Sequence, residues 1–247
     1  MQRIVGVLSG KGGVGKTVTA INLSAALHEL GHPTTVVDAD VSSANLTIHL
    51  GLPDAMVSLQ DVLEGKEGIF KTLRTIPKGL KLVPASLSLD KSLVDMSSFK
   101  SVIREGLSGT VIIDAPPGFS KDLYHIMDAC DDIIVVTNPD VPSVTDAIKM
   151  IEIAKKMGKE NIGVVLNRIG GDPFEISPEE VASLCEMPLV GYIPEDTRVK
   201  KSIYERTPLV FHSPYAKATL GYKQMAARMI GHPYNPPSLA FLRRLFS

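Results

Sequence analysis

The sequence predicts an α/β protein with a doubly wound, mostly parallel sheet and helices on both faces. Three observations carry that expectation. Short β-branched apolar runs recur along the chain, and stretches of helical length separate them. The runs are continuous rather than alternating, as in strands buried on both faces. With 247 residues, 44% of them hydrophobic, the chain can build one substantial core.

Taken in order, Ile4–Leu8 is the first strand, and no signal-peptide apolar region precedes it. The segment Gly10-Lys-Gly-Gly-Val-Gly-Lys-Thr17 follows and fits the pattern G-x-x-x-x-G-K-[ST]. Its context is the required one, with a strand before it and a helix, Lys16–Leu30, after it. The glycines, Gly10, Gly12, Gly13 and Gly15, let backbone N–H groups around Val14 turn inward onto phosphate oxygens. The helix N-terminus adds its positive dipole end. Lys16 is expected to reach the β- and γ-phosphates, and Thr17 to place its hydroxyl on Mg²⁺. Gly31 ends the helix.

Thr34–Val37 is the second strand, and it runs into Asp38 and Asp40 at the sheet edge where open α/β sheets bind ligands. If the chain stays extended, a period of two puts both carboxylates on one side. There they can orient an attacking water or hold a metal-bound one. The alternative is that one or both cap the following turn. Leu80–Val83 and Thr110–Ile113 are further strands. The latter leads into Asp114-Ala-Pro-Pro-Gly118, where Asp114 suits Mg²⁺ and Gly118 is expected to free a backbone N–H for the γ-phosphate. Ile133–Thr137 precedes a helix, Val144–Met157, closed by Gly158. Ile162–Leu166 and Leu189–Ile193 are the last strands.

From about Gly231 the chain changes character, with Pro233, Pro236 and Pro237 in a short polar stretch. This divides a nucleotide-binding domain, residues 1–232, from a hinge and tail, residues 233–247. At about 100° per residue, Leu239, Phe241, Leu242, Leu245 and Phe246 share an arc of roughly 160°. Ala240, Arg243, Arg244 and Ser247 fill the other side, and Ser238 can cap the helix. An anionic lipid surface suits such a segment. The alternative is a last helix docked on the core.

Composition excludes several classes. Lysine and arginine total 26 against 27 acidic residues, so overall charge gives no nucleic-acid signal. Arg198, Lys200, Lys201 and Arg206 form a local basic cluster, a common solvated face. Cys130 and Cys185 lie far apart, with neither metal-ligand spacing nor a disulfide framework, which fits a reducing cytoplasm.

The second lysine of the loop, Lys11, makes it K-G-G-x-G-K-T. That pattern resembles the deviant Walker A ATPases, the MinD/ParA family, and the likeness runs from Ile4 to the C-terminus. The resemblance implies a P-loop ATPase that takes ATP and Mg²⁺, with Gly10 to Val18 as the nucleotide-binding stretch. It also implies a sandwich dimer in which Lys11 reaches the partner's nucleotide; the alternative is an ordinary loop lysine. Asp38-Ala-Asp40 followed by Asn45-Leu46 is similar to the family's D-x-D-x-x-x-x-N-L segment. That implies Asp40 nearest the hydrolytic water, with Asp38 in support. Asn167-Arg168 and the Gly191–Asp196 segment resemble the adenine site, implying that Asn167, Arg168 and the backbone near Pro194 meet the base. The guanine-selective N-K-x-D pattern is absent.

The tail, Leu239–Ser247, resembles the membrane-targeting segment of the MinD branch. An ATP-closed homodimer would then hold two tails on the inner face of the cell membrane, and hydrolysis would release them. The second tail binds intramolecularly, so avidity rises by ~10² or more. Such a protein positions a division site or polar structure with an activator or cargo protein. Two departures stand out. Val18 replaces the threonine that touches the α-phosphate in many members, and Asp140 replaces the glutamate of N-P-E. The rival readings are a ParA-type DNA partition ATPase and an iron–sulfur carrier, the latter lacking its cysteine pairs here.

Overall fold

The computed structural model describes residues 2–52, 57–91 and 93–235. β1 (Arg3–Leu8) leads into α1 (Lys16–Glu29), β2 (Thr34–Asp38) and the short helices α2 (Asn45–His49) and α3 (Leu59–Leu63). β3 (Arg74–Thr75), β4 (Lys81–Val83), α4 (Phe99–Gly106), β5 (Thr110–Asp114) and α5 (Lys121–Ala129) come next. The chain continues through β6 (Asp132–Thr137), α6 (Val141–Lys156), β7 (Ile162–Ile169), α7 (Pro178–Cys185) and β8 (Leu189–Pro194). α8 (Arg198–Tyr204), α9 (Leu209–His212) and α10 (Lys217–Met229) end the described part.

Among the described residues the strands form one eight-stranded sheet in the order β3-β4-β2-β5-β1-β6-β7-β8. Every neighbouring pair is parallel except β3–β4. β1 sits centrally, with β2 on one side and β6 to β8 on the other. The chain therefore changes direction around the end of β1, the crevice where open sheets bind ligands.

The continuous apolar strands are explained by what lies above and below them. Ile4 and Leu8 face one cluster, with Phe99 of α4, Leu123 of α5, Val144 of α6 and Val181 of α7. Val5 and Val7 face the other, with Leu23 of α1 and Met225 of α10. Both faces of the sheet are covered, so neither residue parity is free to be polar.

Three features differ from the sequence expectation. α6 begins at Val141, ahead of Val144, because Asp140 caps it and Pro142 fits its first turn. β3 was not expected, since Arg74-Thr75 carries no apolar signal and is held by antiparallel pairing alone. β7 continues to Ile169, so Asn167 is a strand residue. The predicted amphipathic segment Leu239–Ser247 lies outside the described residues. Among the described residues no helix is long and apolar enough to cross a membrane.

Candidate functional site

The loop between β1 and α1 owes its shape to left-handed glycines. Gly13 has φ 82° and Gly15 φ 94°, a region closed to most side chains. Gly15 is also the N-cap of α1 and offers no side chain to its first amides, and no acid sits in the first turn. The opening N–H groups of α1 are thus left for an anion. A Cβ on Gly15 would collide with the Asn167 amide.

Lys16 and Thr17, the first residues of α1, are buried. The Lys16 ammonium meets the Asp114 carboxylate, Nζ to Oδ1, at 2.5 Å. Asp114 ends β5 and stands in register with Asp38 at the end of β2. Two carboxylates therefore lie side by side on neighbouring strands, both fully buried. Burial, then the charge of Asp114, pushes the Asp38 carboxyl up to about 7. Burial also raises Asp114, against the opposing pull of Lys16 and Thr17. Asp38 Oδ2 accepts from the Thr47 N–H at 3.0 Å and from its hydroxyl at 3.1 Å. Asp38 Oδ1 and Asp114 Oδ2 have no hydrogen-bond partner among the described residues. Buried carboxylate oxygens without donors are costly unless something arrives to meet them. An oxygen donor set of Asp114 beside Thr17 fits a hard divalent cation.

Asp40 lies beyond the end of β2, in a turn. Its Oδ1 accepts from Ser42 Oγ at 2.9 Å and the Ser43 N–H at 3.2 Å, and its Oδ2 from Asn45 Nδ2 at 3.1 Å. The turn-capping alternative thus describes part of what Asp40 does, while the carboxylate stays close enough to raise both Asp38 and Asp114.

A cavity of about 300 Å³ opens over the loop, lined by Gly12, Gly13, Gly15, Lys16, Thr17 and Val18. Asn45 and His49 of α2, Pro117, Arg168 and Ile203 complete its walls with Ser9. A second cavity, about 340 Å³, lies at the opposite edge by Thr34 and Thr35, and no phosphate-loop residue lines it.

Other predicted residues are placed differently. The Gly118 N–H is not free; it donates to the Ser9 carbonyl at 3.0 Å, because the left-handed turn at Gly118 folds back onto the end of β1. Asn167 Nδ2 donates to the Val14 carbonyl at 2.7 Å. It therefore holds the phosphate loop to β7 and does not line the cavity. Arg168 does line it, and its guanidinium lies 4.0 Å from Glu195. Pro194 closes β8 opposite Ile169. Gly10 packs against the Asp146 carbonyl of α6, and Val14 is buried beneath the loop. Lys11 is exposed and makes no ion pair among the described residues. Asp140 accepts from the Ser143 N–H at 2.9 Å and its hydroxyl at 2.8 Å. Of the cavity residues that sequence reading missed, which include Ser9 and Ile203, His49 is the titratable one. Its signal was the i, i+4 spacing from Asn45, which puts both on one face of a helix.

Comparison with known proteins gives consistent findings. Residues 5–209 match the family described as the CobQ/CobB/MinD/ParA nucleotide binding domain. An uncharacterised ATP-binding protein of Methanocaldococcus jannaschii is 36% identical over 93% of this chain and 88% of its own. The septum site-determining protein MinD of Pyrococcus horikoshii, solved with Mg-ADP, superposes with a TM-score of 0.87 at 31% identity, over 93% of this chain and 96% of that one. The MinD of the Aquifex aeolicus MinC:MinD complex superposes at 0.85 and 28% identity, over 95% of this chain and 98% of that one.

Proposed function

The chain belongs to the CobQ/CobB/MinD/ParA nucleotide-binding family, and we propose that it is a MinD-like positioning ATPase whose ATP-driven dimerisation switches its hold on a membrane. It is an ATPase that works with ATP and Mg²⁺, as befits a relative of a MinD solved with Mg-ADP. The observation that carries the reading is the buried Lys16–Asp114 pair at an uncapped helix N-terminus, beside carboxylate oxygens without partners.

Each residue then has a task. The loop N–H groups and Lys16 hold the phosphates, so that charge is neutralised without side-chain reorganisation. Thr17 and Asp114 would hold Mg²⁺, which when bound supplies charge neutralisation at the phosphates. Three donors fix the Asp40 carboxylate and leave acceptor room on Oδ2 for one water in the line of attack. Asp38 fixes α2 through Thr47 and so keeps Asn45 on Asp40. Lys11 stands on the lip with its charge unspent and serves the nucleotide of a second copy. Arg168 serves the base end of the cavity.

The tail, Leu239–Ser247, is the membrane contact, and the protein works in the cytoplasm and on the inner face of the cell membrane. A single short helix is marginal in water and binds lipid weakly, so pairing two copies sets the affinity. An activator or cargo protein acts on the ATP-bound dimer. Lys201 lies 3.8 Å from Glu205 and Arg198 3.7 Å from Asp196, so carboxylates offset part of the positive charge that a nonspecific DNA surface would use.

Co-sedimentation with anionic liposomes tests this. The full chain is expected to pellet more with ATP than with ADP, and a chain lacking Leu239–Ser247 to stay in the supernatant with either. Equal pelleting with both nucleotides, or by the shortened chain, would remove the membrane switch.

A further inference from the structure

We propose that His49 is a nucleotide ligand, donating to a phosphate oxygen at the wall where Val18 offers no donor. This rests on the cavity over the phosphate loop being the nucleotide site. That cavity is lined by Lys16 and Thr17, which the proposed function assigns to phosphates and Mg²⁺, and by Val18, His49, Arg168 and Ile203. Val18, the next residue of α1, presents only methyl groups to the cavity.

Val18, His49 and Ile203 border this cavity and also the small one adjoining it, so the three side chains share a wall. Of the three, only His49 can form a hydrogen bond. Its ring is half-buried and makes no hydrogen bond among the described residues. Burial holds it below its ordinary pKa, with Asp114 pulling up and Lys16 pushing down. A neutral imidazole still has one N–H to give. A half-buried donor facing a cavity that expects an anion is satisfied when a phosphate oxygen arrives.

The position of His49 adds a consequence. It ends the same short helix whose Asn45 bonds Asp40 and whose Thr47 bonds Asp38. A phosphate held by His49 fixes α2 from its far end, and with it both carboxylates of the hydrolytic side. Nucleotide occupancy is thereby reported to the residues that would position water.

Calorimetric titration of the full chain with ADP and Mg²⁺ tests the assignment, using His49→Leu, His49→Gln, Val18→Thr and the double variant His49→Leu/Val18→Thr. Lys16→Ala serves as the control for the site. His49→Leu is expected to weaken ADP by about tenfold, the size of one hydrogen bond to a charged group. His49→Gln keeps a donor and should lose less. Val18→Thr supplies a hydroxyl at the same wall and should recover most of the loss in the double variant. If His49→Leu binds ADP as tightly as the unmodified chain while Lys16→Ala fails, His49 is no ligand and the site itself stands. Should Lys16→Ala also bind normally, the nucleotide site has been misplaced. A loss in His49→Leu that Val18→Thr leaves untouched, with a lower melting temperature in the nucleotide-free protein, would make His49 a packing residue and overturn the assignment.

Discussion

The inner wall of the phosphate site and its outer lip come from one loop, yet the fold treats their two lysines in opposite ways. Lys16, at the wall, is 6% exposed and meets Asp114 at 2.5 Å. Lys11, on the lip, is exposed and makes no ion pair among the described residues. The wall is assembled by a single chain, since β1, β2 and β5 bring Lys16, Asp38 and Asp114 together by strand register. The lip has no such internal reason for its charge. A buried charge is explained by what lies beneath it, and an exposed one by what comes to it.

The largest expected effect lies at the wall. Lys16→Ala removes the phosphate contact and leaves the buried Asp114 carboxylate without its counter-charge, so ADP affinity should fall by about 100-fold or more. Titration calorimetry measures it. A loss of less than about threefold would mean that the wall is not the phosphate site.

Next in size is a pH effect on stability. Asp38, pushed up to about 7 in the folded chain, keeps its proton where the unfolded chain, at an ordinary 3.8, has lost it. Folding therefore takes up a proton between about pH 4 and pH 7. The nucleotide-free protein should lose stability as pH rises through that window, and the full cost of the buried charge is present above it. Asp38→Asn should flatten the slope and stabilise the protein by about 2 kcal/mol at pH 8. Denaturant unfolding at pH 5 and pH 8 decides it; an unchanged slope in Asp38→Asn would assign the dependence to other groups.

How much of this was legible follows the same division. The wall could be read from the sequence because its residues close apolar strands: Asp38 after Thr34–Val37 and Asp114 after Thr110–Ile113. Sheet edge and motif agreed there. Three placements were not legible, each for a local reason. Gly118 spends its N–H on Ser9, a bond set by how the Pro-Pro turn folds back. Asn167 holds the loop through Val14 rather than facing the cavity, because β7 continues past it. His49 carries no motif and becomes visible only when α2 is seen as a helix. Asp40 was legible as a carboxylate near the phosphates, but its three donors depend on the shape of one turn.

The smallest effect concerns a residue outside that loop with work inside its own chain. Asp140 caps α6 through Ser143, so Asp140→Ala should cost about 1 kcal/mol of stability and leave ADP affinity unchanged. Thermal melting and titration measure the two halves. If the variant also lost its ATP-dependent association, Asp140 would join Lys11 as a residue that faces a partner.

The meaning of Lys11 is settled most directly by sedimentation velocity with a nonhydrolysable ATP analogue and with ADP. The expected result is a dimer of the full chain with the analogue, a monomer with ADP, and a monomer of Lys11→Ala with either, although Lys11→Ala still binds nucleotide. A Lys11→Ala dimer as stable as the unmodified one would make Lys11 a solvated loop lysine. Absence of any dimer of the full chain with the analogue would contradict the ATP-closed dimer and the membrane switch that depends on it.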